Sequence, residues 1–250
     1  MKTQYNSDER QSIGVRTIPR MPGIEELEKD FEEYQKELRL GKVKRERRKE
    51  EKPEVDKEGN EGRQIPELKD YIYVPSIKLY VAKERSFNGK DWYKCHEALK
   101  QEDARMLTIP EFVEFLKYSK VKAPEVYEDI TAVREPYRAE WLDGFFEKRK
   151  DGLYVLTQNK SQSEKLDDCL MEDCQADILG SANKQGLPTR KLNGFYYWYP
   201  RENSVARFIA YSGRAYLDCF RLPTYVISSL GVRVARCAAP SVCPKNGGFK

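Results

Sequence analysis

The chain has 250 residues, of which 39% are hydrophobic and 34% charged, and 45 Lys and Arg against 41 Asp and Glu leave a net charge of +4. That length makes one good-sized domain or two small ones, and so small a surplus excludes the basic footprint of a specific nucleic-acid binder. No stretch approaches the ~20 apolar residues of a membrane span. The N-terminus MKTQYNSDERQ leads into no apolar signal segment, which leaves the compartment open.

Residues 1–64 read as a charged arm. Within it Ile24, Leu27, Phe31, Tyr34 and Leu38 recur at steps of three and four, one short amphipathic helix. That stripe either lies on its own domain or oligomerises, and it is too short to define a coiled coil. Residues 41–64 carry charges of both signs and almost no apolar side chain, the composition of a linker. Their basic cluster, Lys42, Lys44, Arg45, Arg47, Arg48 and Lys49, lacks interleaved aromatics and reads as a solvated face.

The folded domain is expected over 65–250. YIYVPSIKLYVAKE is rich in strand formers, with Pro75 placing it at an edge or a break. DWYKCHEALKQEDARM is helix-prone. LTIPEFVEFLKYSK has a capped helix start: Thr108 as N-cap, Pro110 in the first turn and Glu111 three residues past the cap. Phe112, Phe115, Leu116 and Tyr118 would form its buried face. Residues 139–159 predict a buried Trp141–Leu142 patch, a turn at Lys150-Asp151-Gly152 and a strand over Leu153–Thr157. The stretch from Ser163 to Pro188 predicts a short helix with Leu166, Leu170 and Ile178 inward, ended by Gly186 and Pro188. Five short strand-like runs follow: GFYYWYP, ARFIAYSG, RAYLDC, TYVISS and LGVRVARC. Around Gly213, Ala206, Phe208, Ala210, Ala215, Leu217 and Cys219 alternate with Arg207, Ile209, Tyr211, Arg214, Tyr216 and Asp218. Small and apolar residues take one face, and varied side chains the other. Helices first and strands last make an α+β domain.

The segment from Asn203 to Pro244 contains no Lys, Glu, Gln, Met or Trp. A β-rich, partly buried segment accounts for missing Lys and Glu, but less well for missing Gln, Met and Trp beside retained Arg and Asp. What remains is a chemically mixed surface, suited to binding rather than catalysis.

Six Cys stand at 95, 169, 174, 219, 237 and 243, in no CxxC framework. They read mainly as reduced, mostly buried thiols. The single His, His96, has no partner motif and reads as structural. No P-loop, dinucleotide fingerprint or clustered carboxylate loop for calcium is present. No cofactor is expected.

Three motifs in order carry a resemblance. LTIPEFVEFLKY resembles the R-L-P-T-x-x-E-L-x-x-L helix of C-type lectin folds of the formylglycine-generating-enzyme class. YYWYPRENSVARF resembles the late Tyr-Trp strand and loop of that fold. SLGVRVAR resembles its closing Gly-Val-Arg strand. Within that class the chain most resembles the variable proteins of diversity-generating retroelements of archaea and their viruses. In those systems adenines of a template repeat are copied with errors. AAC-derived codons end in a pyrimidine, so they never encode Lys, Glu, Gln, Met or Trp.

The resemblance implies a C-type lectin fold (two helices on short mixed sheets) holding a fixed main chain under a hypervariable region at about 195–236. Scaffold roles fall to Tyr197, Trp198, Phe208, Leu217, Gly231 and Arg233. The ligand-facing positions are Ile209, Arg214, Tyr216, Asp218, Phe220, Arg221, Leu222, Tyr225, Val226 and Ile227. The partner would be a protein or other surface ligand, bound without catalysis. The competing readings are an oxidase of the formylglycine-generating type, which would use the Cys237 and Cys243 pair, and a structural or assembly protein of the same fold.

Overall fold

The computed structural model describes residues 68–159 and 162–237. The helix expected over 24–38, the charged linker 41–64 and the tail bearing Cys243 lie outside the described residues. A 3-10 turn at Leu68–Asp70 leads into β1 (Tyr71–Val74) and β2 (Leu79–Ser86). Pro75 sits in the turn between them, where its missing N–H breaks no ladder, and β1 is a sheet edge. Helix α1 (Trp92–Gln101) starts at Asp91, whose side chain accepts from the N–H of Lys94 at 2.8 Å.

Helix α2 (Ile109–Lys122) begins where the sequence places it. Glu111 closes the capping box by accepting the N–H of Thr108 at 3.0 Å, and Arg105 grips the same carboxylate at 2.7 and 2.9 Å. A third helix, α3 (Pro124–Thr131), follows after Ala123 alone, with Pro124 in its first turn. The expectation of two helices is therefore corrected to three among the described residues.

The strands are β3 (Arg138–Arg149), β4 (Gly152–Thr157), β5 (Gln162–Lys165), β6 (Cys174–Ala176), β7 (Phe195–Trp198), β8 (Ser204–Tyr211), β9 (Arg214–Arg221) and β10 (Leu230–Cys237). They form one large mixed sheet in the order β1-β2-β10-β3-β8-β9-β7-β6, with β4 paired to β3 and β5 to β4. The pairs β3–β10 and β7–β9 are parallel; the others are antiparallel. The domain is α+β.

Two expected elements are absent. Residues 163–188 form no helix but two short strands and loops. Polar side chains take up the local backbone there. Asn183 Oδ1 accepts the N–H groups of Gln185 and Leu187, both at 3.0 Å, and Asp177 Oδ1 that of Gly180 at 2.8 Å. Gln185 donates to Lys165 O at 2.8 Å and accepts the N–H of Asp167 at 2.8 Å. Such bonds compete directly with helical ones. Ile178 is nevertheless buried, and Leu166 and Leu170 pack on the core. TYVISS is a loop rather than a strand.

The alternation around Gly213 holds. Ala206, Phe208, Ala210, Ala215, Leu217 and Cys219 join the core with Phe112, Phe115 and Leu116 of α2 and Val126 and Ile130 of α3. Phe208 meets Phe112 at 5.2 Å and Phe195 edge-on at 5.4 Å between ring centroids. The β8–β9 turn needs two left-handed residues, and Ser212 (φ 51°) and Gly213 (φ 82°) supply them.

At the other end of the sheet β10 anchors the domain. Arg233, 2% exposed, forks onto Glu140 with two bonds of 3.0 Å and also donates to the carbonyls of Ala82 and Lys83. Next to it, a side chain at Gly231 would strike Asn88 and come within 2.7 Å of the Ser86 carbonyl oxygen. The chain passes too close there for any Cβ.

Candidate binding surface

The sheet face opposite α2 and α3 is built by parity. The register pairs Tyr196 with Tyr216 and Trp198 with Asp218 across β7–β9. Across β8–β9 it pairs Arg207 with Asp218, Ile209 with Tyr216 and Tyr211 with Arg214. Cross-strand partners share a face, so β7, β9 and β8 present two rows of aromatics and arginines. The loop 222–229 carries Leu222, Tyr225, Val226 and Ile227 beyond the end of β9.

These side chains form one continuous stack. The Arg214 guanidinium lies 4.1 Å from the Tyr196 ring centroid. Tyr196 and Tyr216 are 5.3 Å apart, Tyr216 and Trp198 5.1 Å, and Trp198 and Phe220 5.0 Å. Arg201 and Arg221 cover Phe220 at 4.6 and 5.2 Å. Arg221 and Arg207 flank Tyr225 at 5.0 and 5.3 Å. Contacts of this kind contribute roughly 0.5–2 kcal/mol each, more where water is excluded.

Beneath the stack lies a buried charge cluster. Asp218, with no exposed surface, accepts from Arg207 Nε at 2.7 Å, from an Arg221 Nη at 3.4 Å and from the Phe220 N–H at 3.1 Å. Arg207 is 4% exposed. Arg201 pairs separately with Asp173 at 3.0 Å. Burial, and then the neighbouring Arg207 charge, pull the Arg221 pKa below its ordinary value.

The ten positions expected to face a ligand divide in two. Leu222 and Val226 are exposed, and Arg214, Phe220, Arg221 and Tyr225 are half-buried at the rim. Ile209, Tyr216, Asp218 and Ile227 are buried, which corrects their assignment as direct contacts. Ile209 and Asp218 point to the expected side of the sheet, but neighbouring side chains roof them over. Tyr216 is enclosed between Tyr196 and Trp198.

Among the expected scaffold residues, Tyr197, Phe208 and Leu217 are core, and Arg233 is buried on Glu140. Trp198 is buried as well, on the stack face, against Tyr216 and Phe220. The sequence reading omitted Tyr196, Arg201 and Arg207 from the site. Parity alone marked Arg207, whereas Tyr196 and Arg201 require knowing that β7 lies beside β9.

The residues considered for chemistry lie elsewhere. His96 is buried 3.4 Å from Asp143, which accepts the N–H groups of Gln158 and Asn159 at 2.9 and 3.0 Å. Burial lowers His96 to about 3 and raises Asp143 to about 7. Cys95, Cys169, Cys174 and Cys219 are free thiols, in line with the mainly reduced reading, while Cys237 is disulfide-bonded. Among the described residues no group of three His, Cys, Asp or Glu could hold a metal ion, and no helix is long and apolar enough to cross a membrane. Comparison of the chain with protein-family models, with curated proteins and with solved structures finds no match in any of the three.

Proposed function

We propose that the chain is a non-enzymatic binding protein with a C-type lectin fold, displaying a hypervariable surface produced by a diversity-generating retroelement. One observation carries the reading. The stretch lacking Lys, Glu, Gln, Met and Trp supplies the exposed rim at Arg214, Phe220, Leu222, Tyr225 and Val226. It also supplies the small apolar residues that hold the same strands to the core. A scaffold packed on both faces of these strands but open along the rim tolerates substitution at that rim without loss of fold. The three resembling motifs fall on α2, on β7 with its following loop and the start of β8, and on β10, which supports the fold assignment. Tyr, Phe and Arg are the side chains that binding surfaces favour, with large rigid contact area and forked donors.

The test is the DNA of the locus. The expected finding is a near-copy of the 3′ end of the gene, differing only where the copy has adenine, beside a reverse-transcriptase gene. If the differences fall at codons for the core residues Ala206, Phe208 and Leu217 as often as at rim codons, diversification of a binding surface is refuted.

A further inference from the structure

Three guanidinium nitrogens of the charge cluster are buried with no hydrogen-bond partner: Arg201 Nε, Arg207 Nη1 and Arg221 Nε. All three belong to arginines stacked on the same two rings, Phe220 and Tyr225. A buried donor left unpaired is destabilising, and most such groups in folded proteins find a partner. The charges are unequal as well. Arg201, Arg207 and Arg221 share two carboxylates, Asp173 and Asp218, and Arg214 stands further along the stack. Where the cluster is largely buried, two arginines, Arg207 and Arg221, share the one carboxylate of Asp218, so the site is matched to an anionic group with several acceptor lone pairs. Arg221 gives access, since its side chain is 16% exposed at the rim while Arg207 lies below it.

We propose, building on the display reading, that in this chain the cluster is a carboxylate pocket: the partner is a protein that presents an Asp or Glu side chain to Arg221, at the rim beside Phe220 and Tyr225, and to Arg207 beneath it. A carboxylate there accepts two donors in the forked geometry that guanidinium favours, and the rings shield the contact from solvent. The exposed Leu222 and Val226 would then set which acidic surface is accepted, while the arginines set that it is acidic.

The experiment titrates the full chain with sodium acetate, sodium phosphate and sodium chloride at matched ionic strength, following the arginine Nε–H signals by NMR. The expected result is a saturable shift of Arg207 and Arg221 with acetate and a weak, non-saturating drift with chloride. Arg221→Lys, which keeps the charge but loses the fork, weakens acetate binding about tenfold. Arg190→Ala, at an exposed arginine away from this surface, leaves it unchanged. Equal shifts with chloride and acetate overturn the pocket, because they report screening alone. Phosphate saturating at lower concentration than acetate overturns the carboxylate assignment. Acetate binding unaffected by Arg221→Lys overturns the placement. These outcomes are independent of the locus sequence, so a failed pocket leaves the display reading in place, and a failed display reading leaves the pocket.

Discussion

Replacing Asp218 by Asn removes one negative charge and almost no volume. The carboxylate is fully buried and is the single acidic partner of Arg207, at 2.7 Å, and of Arg221, at 3.4 Å. Asn keeps an acceptor for the Phe220 N–H but leaves two guanidinium groups facing each other with no counter-charge. Breaking a buried pair from one side costs about 3–5 kcal/mol, because the remaining charge stays desolvated. The second arginine places this site in the upper part of that range. Domains of this size have total stabilities of roughly 5–15 kcal/mol. The loss is therefore a large share of the total, and with a urea slope of about 1–3 kcal/mol per molar it lowers the midpoint by about 2 M. Urea denaturation followed by circular dichroism at neutral pH measures it directly. Arg207→Met and Arg221→Met combined with Asp218→Leu should recover a good part of the loss, since apolar side chains of similar shape then replace every member of the cluster and no uncompensated charge remains. A loss below about 1 kcal/mol in Asp218→Asn would refute the reasoning, showing that water or rearrangement satisfies the arginines.

Three further outcomes are expected. Tyr216→Ala should cost about 3–5 kcal/mol of stability by opening the aromatic stack, whereas Leu222→Ala and Val226→Ala should change it by less than about 0.5 kcal/mol; similar thermal melts for all three would refute the division between rim and support. The buried His96–Asp143 pair holds one proton when folded, on Asp143, over the interval from about pH 4 to 6.5 where the unfolded pair also holds one, on His96, so the pair adds little slope. His96→Gln leaves a folded state that keeps a proton the unfolded chain releases, so the variant's own stability should fall as pH rises from about 4 to about 7. Asp143→Asn does the reverse: the unfolded chain binds a proton that folded His96 refuses, so stability should rise with pH from about 3 to 6.5. Urea midpoints at three pH values check both signs, and parallel profiles would refute the assignment. Finally, a thiol reagent should label half-buried Cys169 and Cys174 in the native protein. Cys95, pushed up to about 12 by burial, and Cys219, raised well above its ordinary value, should label only after unfolding. Mass mapping of the labelled peptides reads this, and early labelling of Cys219 would refute its burial in the core.

What the sequence determined by itself was local or periodic. The α2 cap, the Lys150–Gly152 turn and the two faces of β8 and β9 follow from residue type and spacing, because capping, turn chemistry and strand parity act within a few residues. The absence of five residue types also drew attention to the stretch that carries β8, β9 and the loop after them. Only the tertiary structure decided which residues on that face are surface. Ile209, Tyr216 and Asp218 have the right parity, yet they are buried because β7 lies parallel to β9, bringing Tyr196 and Trp198 alongside Tyr216, and because Arg207 and Arg221 close over Asp218. Residues 163–188 failed as a helix for a related reason: Asn183 and Gln185 bond backbone groups up to twenty positions away, a competition that helical periodicity does not encode. Parity assigns a side of the sheet. Exposure depends on which strand becomes the neighbour, and that is settled by contacts between residues distant in sequence.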